Sequence, residues 1–148
     1  MANLNWESLT SMQIGRYAEY YSKMEFASYG FEVFSSEVDD RGIDFIVRGI
    51  AGDFYEIQVK SLRESSKSKY AFIKDNKMDI SSTKFIVCFI YFKLNSLPSI
   101  YLLKATEWKT PNVVLRQNTG EWGINISKES LIYLENNYRF DKVVGELG

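Results

Sequence analysis

The most informative gap in this 148-residue sequence is histidine, which does not occur at all. Its absence excludes imidazole metal ligands, imidazole general bases and Ser-His-Asp triads. The single cysteine, Cys88, cannot form an internal disulfide, and its neighbours in FIVCFIYF predict a buried thiol. No stretch approaches the ~18 apolar residues of a membrane helix, and the start MANLNWESLT lacks a signal-peptide core. We therefore expect a cytoplasmic protein of prokaryotic type that does not contact membranes.

An excess of charge of either sign is also lacking, since the formal net charge is −1. Attraction to a polyanion must therefore come from a local basic patch. The sequence is instead rich in apolar material, with 45% hydrophobic and 16% aromatic residues. That composition predicts a packed core, and the length predicts a single domain over residues 1–148. The aromatic content also suits an interface, which is consistent with a homodimer or homotetramer.

Two helices are predicted, one near each end of the chain. Apolar residues at spacings of three and four favour a helix over 8–29, with Ser8 or Thr10 as its cap. The predicted buried stripe of this helix is Ile14, Tyr17, Ala18, Tyr21, Met24 and Ser28. A closing helix over 126–138 has Ser127 as its cap.

Strands fill the region between the helices. They are predicted over 31–36, 42–49, 54–61, 70–74, 84–93 and 99–105. The continuous apolar run at 84–93 is typical of a central strand buried on both faces. Residues 112–126 are either irregular or short strands. This order predicts an α/β domain with a central mixed sheet flanked by helices.

Polar side chains interrupt the two predicted strands within GIDFIVRGIAGDFYEIQVKS, residues 42–61. Side chains at alternate strand positions lie on one face, so Glu56, Gln58 and Lys60 share a face while the residues between them point into the core. If the two strands pair, Asp44 can reach the same face. An acid pair, an amide and an ammonium would then lie close together.

Such a group suits phosphodiester hydrolysis. A hard cation such as Mg²⁺ prefers oxygen ligands, which Asp44 with Glu56 or the Gln58 carbonyl can supply. A nearby lysine can orient water or neutralise charge that grows in the transition state. The alternative interpretation is an ordinary wet face of an antiparallel sheet with a cross-strand ion pair.

The order of these motifs resembles the PD-(D/E)XK, or restriction-endonuclease-like, nuclease superfamily. In that family a helix carries an acid, a strand carries a metal-binding Asp, and the next strand ends in acid-x-Lys. Here GRYAEYY contains Glu19, GID contains Asp44, and EIQVKS contains Gln58 and Lys60. The resemblance extends over residues 14–61 and more weakly over the remainder. It implies a restriction-endonuclease-like core.

The resemblance also implies roles for these residues in a metal-dependent DNA endonuclease. Asp44 would be the central ligand of Mg²⁺, for which Mn²⁺ can substitute. Glu56 or Gln58, with the carbonyl of Val59, would complete the protein ligands, and Glu19 would bind the cation directly or through water. Lys60 would position the attacking water.

Gln58 departs from the family pattern, which has Glu or Asp at this position. Intron-encoded homing endonucleases of similar size resemble this chain in using Gln-x-Lys. A neutral amide oxygen attracts a cation less than a carboxylate does. Glu56, two residues earlier on the same face, could replace the missing charge and is therefore included among the catalytic candidates.

A basic segment follows the proposed site. Between residues 60 and 77 the cations are Lys60, Arg63, Lys67, Lys69, Lys74 and Lys77, against the acids Glu64 and Asp75. Six cations against two acids leave a local excess of four, which suits contact with double-stranded DNA. We select Arg63, Lys67 and Lys69, with Arg16 on the first helix, as DNA-binding candidates. A solvated loop that maintains solubility is the alternative.

Two other hypotheses remain beside the endonuclease. One is a catalytically inactive nucleic-acid-binding or regulatory module on the same fold, in which Gln58 marks lost chemistry. The other is an interaction domain with a solvated polar face. The latter predicts that the carboxylates of Glu19, Asp44 and Glu56 do not converge.

Overall fold

The computed structural model describes residues 1–35, 37 and 42–148. Helices in this part of the chain are α1 Ser11–Ser28, α2 Lys128–Asn137 and α3 Phe140–Val144. The strands are β1 Glu32–Ser35, β2 Phe45–Arg48, β3 Phe54–Arg63, β4 Tyr70–Lys74, β5 Phe85–Phe92, β6 Ser99–Lys104, β7 Leu115–Asn118 and β8 Glu121–Asn125. None of these helices is long and apolar enough to cross a membrane. The predicted order of helix, strands and helix is confirmed, while α3 is too short to give a periodic signal.

α1 begins at a capping box and ends before a glycine. The Thr10 hydroxyl accepts the backbone N–H of Gln13, and the Gln13 side chain accepts the N–H of Thr10 at 2.9 Å. After the last turn, Gly30 adopts a φ of +86°, and the N–H of Phe31 returns to the Phe26 carbonyl. Thr10 is therefore the cap that the helix uses.

The buried stripe of α1 differs from the predicted one. The buried positions, Ile14, Ala18, Ser22 and Phe26, follow a spacing of four throughout. The prediction that Met24 and Ser28 face the core is wrong, since Met24 is 59% exposed and Ser28 is also exposed. The i+4 row of a helix is inclined to its axis, so α1 packs along this row rather than along a straight stripe.

The larger sheet has the strand order β1-β2-β3-β5-β6 and is mixed. β3 and β5 are parallel, and the other neighbouring strands are antiparallel. Every residue of β5 is buried. Alternate side chains enter two cores, with Cys88 on the side of α1 and Phe89 on the opposite side. The prediction of a central strand buried on both faces is confirmed.

A second, three-stranded sheet of order β4-β8-β7 covers the face opposite α1, together with α2. Of the alternatives left open for residues 112–126, short strands are correct. Trp108 anchors this layer, since it is fully buried and donates its indole N–H to the Gly123 carbonyl at 3.0 Å. Ser127 caps α2, since its hydroxyl accepts the N–H of Ser130, so the predicted cap is confirmed.

The strand ends that position the polar residues differ from the predicted ones. β2 begins at Phe45 rather than at residue 42, and β3 continues to Arg63 rather than ending at 61. β2 pairs with β3 only as far as Phe45 opposite Ile57, whereas β3 remains paired with β5 up to Arg63. β3 therefore continues past the start of β2, and the candidate site lies at that point.

Candidate functional site

Asp44 lies immediately before β2, where it forms hydrogen bonds with the backbone of β3. Its own N–H donates to the Ile57 carbonyl at 2.8 Å. Its carboxylate Oδ2 accepts the backbone N–H of Val59 at 2.6 Å. A carboxylate that accepts a backbone N–H makes a short, charge-assisted hydrogen bond. The Asp44 side chain thus takes the place of the next rung of the β2–β3 ladder.

The Gln58 amide lies beside this carboxylate. Its Nε2 is 3.4 Å from Asp44 Oδ2 and 3.5 Å from the Val59 carbonyl oxygen. On the other side of the amide, a Cβ atom at Gly42 would lie 3.2 Å from Gln58 Oε1. Gly42 has a φ of +76°, a conformation that favours glycine. Both the backbone angle and the close contact with the amide therefore suit a glycine at this position.

The donor atoms gathered here fit a hard divalent cation. They are the Asp44 carboxylate, the Val59 backbone carbonyl and the Gln58 amide, whose oxygen faces the same point when the amide group is flipped. All three oxygens suit Mg²⁺. The positively polarised Gln58 NH₂ group lies between Asp44 Oδ2 and the Val59 carbonyl oxygen. Both oxygens are therefore directed at a point that attracts positive charge. With one carboxylate, the attraction is weaker than that of an acid pair.

Lys60 follows Gln58 on the same face of β3 and lines a cleft next to β4. The cleft has a volume of about 580 Å³, and Gln58 and Gly42 also contribute to its wall. The other charged residues in the described lining are Lys74 and Lys77. The cleft therefore contains three lysines and no acid among its described lining residues, which makes it attractive to a phosphate.

Glu56 shares the strand face of Gln58 and Lys60, as strand geometry predicts, but it lines an adjoining cavity. This second cavity has a volume of about 410 Å³ and also includes Asp75 and Asp79. Two residues along a strand correspond to roughly 6.5 Å. Glu56 therefore lies beside the Gln58 amide along β3 and opens into separate, more acidic surroundings.

Glu19 approaches from the other face of the sheet. Its carboxylate is 3.5 Å from the Lys23 ammonium, one turn further along α1, and its side chain is 31% exposed. Ser22 on the same helix accepts a hydrogen bond from Cys88 Sγ at 3.3 Å, and Cys88 is the β5 partner of Val59. Glu19 thus lies about one helical turn from Ser22, which contacts the β5 residue that pairs with Val59.

The three carboxylates do not form a preassembled cluster, which is the outcome that the interaction-domain hypothesis predicts. Over the ranges that the structure describes, no three His, Cys, Asp or Glu side chains are placed to hold one metal ion. Glu19 is paired with Lys23, and Glu56 opens into the adjoining cavity. The groups that do lie together are the Asp44 carboxylate, the Gln58 amide and the Val59 carbonyl.

Cys88 is a buried structural thiol, as predicted. Burial raises the pKa of Cys88 to about 12, against an ordinary 9.0, and the Ser22 hydroxyl opposes this shift only partly. The thiolate is the nucleophilic form of cysteine, so the thiol is unreactive at neutral pH. Cys88 therefore serves packing rather than chemistry.

Among the predicted DNA contacts, Arg63 already has a structural role. Its guanidinium donates to the backbone carbonyls of Trp6 at 3.1 Å and Leu9 at 2.7 Å. It thereby fixes the segment that precedes α1 against the end of β3. The Arg63 side chain is half-buried, unlike the other three predicted contacts.

The remaining predicted DNA contacts, Arg16, Lys67 and Lys69, are exposed. Lys69 donates to the Glu64 carbonyl, which curls the loop after β3. A hydrogen bond with the Tyr20 side chain raises the pKa of Arg16. All three cations lie on the surface of the protein, and contact with phosphates stays a prediction.

Sequence reasoning missed the aromatic wall of the cleft. Tyr70 and Phe72 on β4 line it together with Lys74. The alternation in YAFIK, residues 70–74, contained the signal, since Ile73 is buried while Phe72 and Lys74 are exposed. In β4, as in β3, alternate residues lie on one face of the strand, so Tyr70, Phe72 and Lys74 share a face.

Comparison with known proteins identifies the fold. No protein-family model matches the sequence, and a search of curated proteins finds no match. Among solved structures, the chain is similar to Hjc, a Holliday junction resolvase from Archaeoglobus fulgidus, at a TM-score of 0.57 and 11% identity. This match covers 89% of the present chain and 96% of the resolvase.

A bacterial homing endonuclease, I-Ssp6803I, is similar to the same degree, with a TM-score of 0.56 and 15% identity. The match covers 93% of this chain and 94% of the endonuclease. Both structures have the restriction-endonuclease-like nuclease fold. The predicted fold class, with a central mixed sheet flanked by helices, is therefore confirmed.

Proposed function

We propose that this protein is a divalent-metal-dependent endonuclease that hydrolyses phosphodiester bonds in double-stranded DNA. The main observation in support is that the Asp44 carboxylate, the Gln58 amide and the Val59 carbonyl meet at one point of β3. Lys60 follows on the same strand face, in a cleft whose described charged residues are all lysines. The fold shared with a resolvase and a homing endonuclease supports the same proposal.

In this proposal Asp44, Gln58 and the Val59 carbonyl hold Mg²⁺ or Mn²⁺, and Glu19 acts through a bridging water. The bound cation would supply Lewis-acid activation of the phosphate and of water. The Lys60 ammonium orients the attacking water and offsets the charge that develops on the phosphorane. Asp44 retains its bond to the Val59 N–H, so β3 holds its carboxylate in position before substrate arrives. Glu56 adds negative charge from the adjoining cavity.

DNA would run across the mouth of the cleft. Lys67 and Lys69 follow β3 directly and would contact backbone phosphates, as would Arg16 on α1. Arg63 would contribute by holding the segment before α1 in place. A homodimer or homotetramer would bring two such sites to the two strands, acting on DNA in the cytoplasm.

Cleavage of supercoiled plasmid with Mg²⁺ and with Mn²⁺ tests the proposal. We expect Asp44→Asn and Lys60→Ala to abolish nicking and linearisation. Asp53→Asn and Lys93→Ala are matched controls, since Asp53 forms only an exposed ion pair at 3.2 Å with Lys84 and Lys93 is exposed beyond β5. Cleavage by Asp44→Asn or Lys60→Ala at the parental rate would refute the assignment.

The second candidate is an inactive nucleic-acid-binding module on this fold. The observation in its favour is that the Gln58 amide presents Nε2, not Oε1, to Asp44 and Val59. A gel shift with plasmid fragments and no cleavage in either metal would favour it. Gain of cleavage in Gln58→Glu would then identify a site that has lost its second carboxylate.

A further inference from the structure

Two aromatic rings in the wall of the cleft are not used by the proposed chemistry. Tyr70 and Phe72 stack with their ring centroids 6.1 Å apart and their planes at 22°. The Tyr70 hydroxyl donates to Glu121 at 2.6 Å and accepts from Asn118 Nδ2 at 2.7 Å. These bonds fix Tyr70, which in turn supports the neighbouring ring. Phe72 remains 43% exposed.

The exposed ring lies among cations. Lys60, Lys74 and Lys77 line the same cleft, and the described lining contains no acid. Aromatic rings for the bases and cations for the phosphates are the combination that binds single-stranded nucleic acid. The volume of about 580 Å³ falls within the roughly 300–1,000 Å³ of small-ligand sites.

We infer that the cleft binds an unpaired nucleotide of the DNA substrate, with its base stacked on Phe72. A base inside a duplex is stacked on both sides and reaches this ring only after it leaves the stack, which costs least for a nucleotide that is already unpaired at a gap, bulge or branch. Gln58 and Lys60 line the same cleft, which places the adjacent phosphate next to the candidate metal site. The inference rests on the proposed function for its substrate, and it specifies where that substrate is cut.

Binding in EDTA tests the inference separately from cleavage. Duplexes with 2-aminopurine at a one-nucleotide bulge are compared with fully paired duplexes of the same sequence. We expect the wild type to quench the fluorescence and to bind the bulged duplex roughly 5- to 140-fold more tightly, the range expected for one stacked base. Phe72→Leu should lose both effects because it keeps an apolar side chain without a ring, whereas Phe72→Tyr should retain them.

Phe34→Leu is the matched control, since Phe34 is 42% exposed on β1 and is not part of the cleft. It should behave as the wild type. A bulge preference that persists in Phe72→Leu, or its absence from the wild type, would overturn the inference even if paired DNA is cleaved. A preference for bulged DNA that depends on the Phe72 ring, without metal-dependent cleavage, would support nucleotide binding in the cleft and refute the endonuclease proposal. Failure to bind any DNA would overturn both.

Discussion

Removal of the Asp44 carboxylate should separate two roles that this side chain combines. The carboxylate accepts the Val59 N–H at 2.6 Å and also faces the Gln58 amide. Asp44→Ala removes the acceptor and the charge, whereas Asp44→Asn keeps an oxygen that can still accept the N–H. We therefore expect both variants to lose cleavage, but only Asp44→Ala to lose substantial stability.

The magnitude follows from the hydrogen bond to Val59. A hydrogen bond to a charged group contributes about 1.5–3 kcal/mol, and a buried N–H without its partner costs about 1–3 kcal/mol. Val59 is half-buried, so water offsets part of this loss. We expect Asp44→Ala to lower the free energy of unfolding by about 1–2 kcal/mol, or Tm by roughly 3–6 °C for a chain of this size. For Asp44→Asn, we expect the free energy of unfolding to fall by less than about 1 kcal/mol.

Thermal denaturation followed by circular dichroism measures these shifts, and the plasmid assay measures cleavage on the same preparations. Asp53→Asn serves as the carboxylate control because its ion pair with Lys84 is exposed. Equal melting temperatures for Asp44→Ala and the wild type would show that the carboxylate does not hold β3. Wild-type cleavage by Asp44→Asn would show that its charge has no catalytic role.

Three further perturbations have specific expected outcomes. Gly42→Ala should cost about 1–2 kcal/mol in thermal denaturation because φ is +76°, and should reduce cleavage because its Cβ would displace the Gln58 amide; unchanged cleavage would contradict this. Arg63→Ala should lower Tm without changing the salt dependence of DNA binding. Lys67→Ala should instead reduce the slope of DNA affinity against salt concentration and leave Tm unchanged. The reverse pattern would give the structural role to Lys67 and the phosphate contact to Arg63. Cys88, with its pKa raised to about 12, should react with thiol reagents at pH 8 only on unfolding. Since the unfolded thiol ionises near pH 9, Cys88 should lower stability as the pH rises from about 9 to 12; fast labelling of the native protein would refute this.

The parts of the fold that periodicity controls could be predicted from sequence. β5 is buried on both faces because eight consecutive apolar residues leave no polar side to expose. Gln58 and Lys60 line one cleft because a strand places alternate side chains on the same face. The Thr10 cap and the glycine after α1 are local signals of the same kind.

The remainder depends on contacts between distant segments, which periodicity does not encode. The sequence pattern predicts Asp44 inside a strand over 42–49, but its side chain replaces a rung of the ladder and β2 begins at Phe45. The Glu19 carboxylate pairs with Lys23 on the same helix, a contact that the motif order does not predict, and its role toward the cation stays a prediction. The exposure of Phe72 follows from the pairing of β4 with β8, and strands as short as β7 and β8 give little sequence signal.

Gln58→Glu provides a test of the cation site that does not depend on cleavage. In the free protein it would place two carboxylates near the 3.4 Å separation now occupied by an amide and an acid. Two like charges about 4 Å apart repel by about 1 kcal/mol in water and about 4 kcal/mol at an effective dielectric constant of 20. We therefore expect Gln58→Glu in EDTA to lose between about 1 and 4 kcal/mol of stability at neutral pH.

A divalent cation held between the two carboxylates would reverse this loss. At a hundredfold excess over its Kd, a bound ion stabilises the native state by about 2.7 kcal/mol. We expect Mg²⁺ or Mn²⁺ to raise the Tm of Gln58→Glu more than that of the wild type. Gln58→Met, which removes the amide without adding charge, controls for the lost contact and should show no such gain. If metal shifts the Tm of Gln58→Glu no more than that of Gln58→Met, Asp44 and residue 58 do not share a cation, and the metal-dependent mechanism fails.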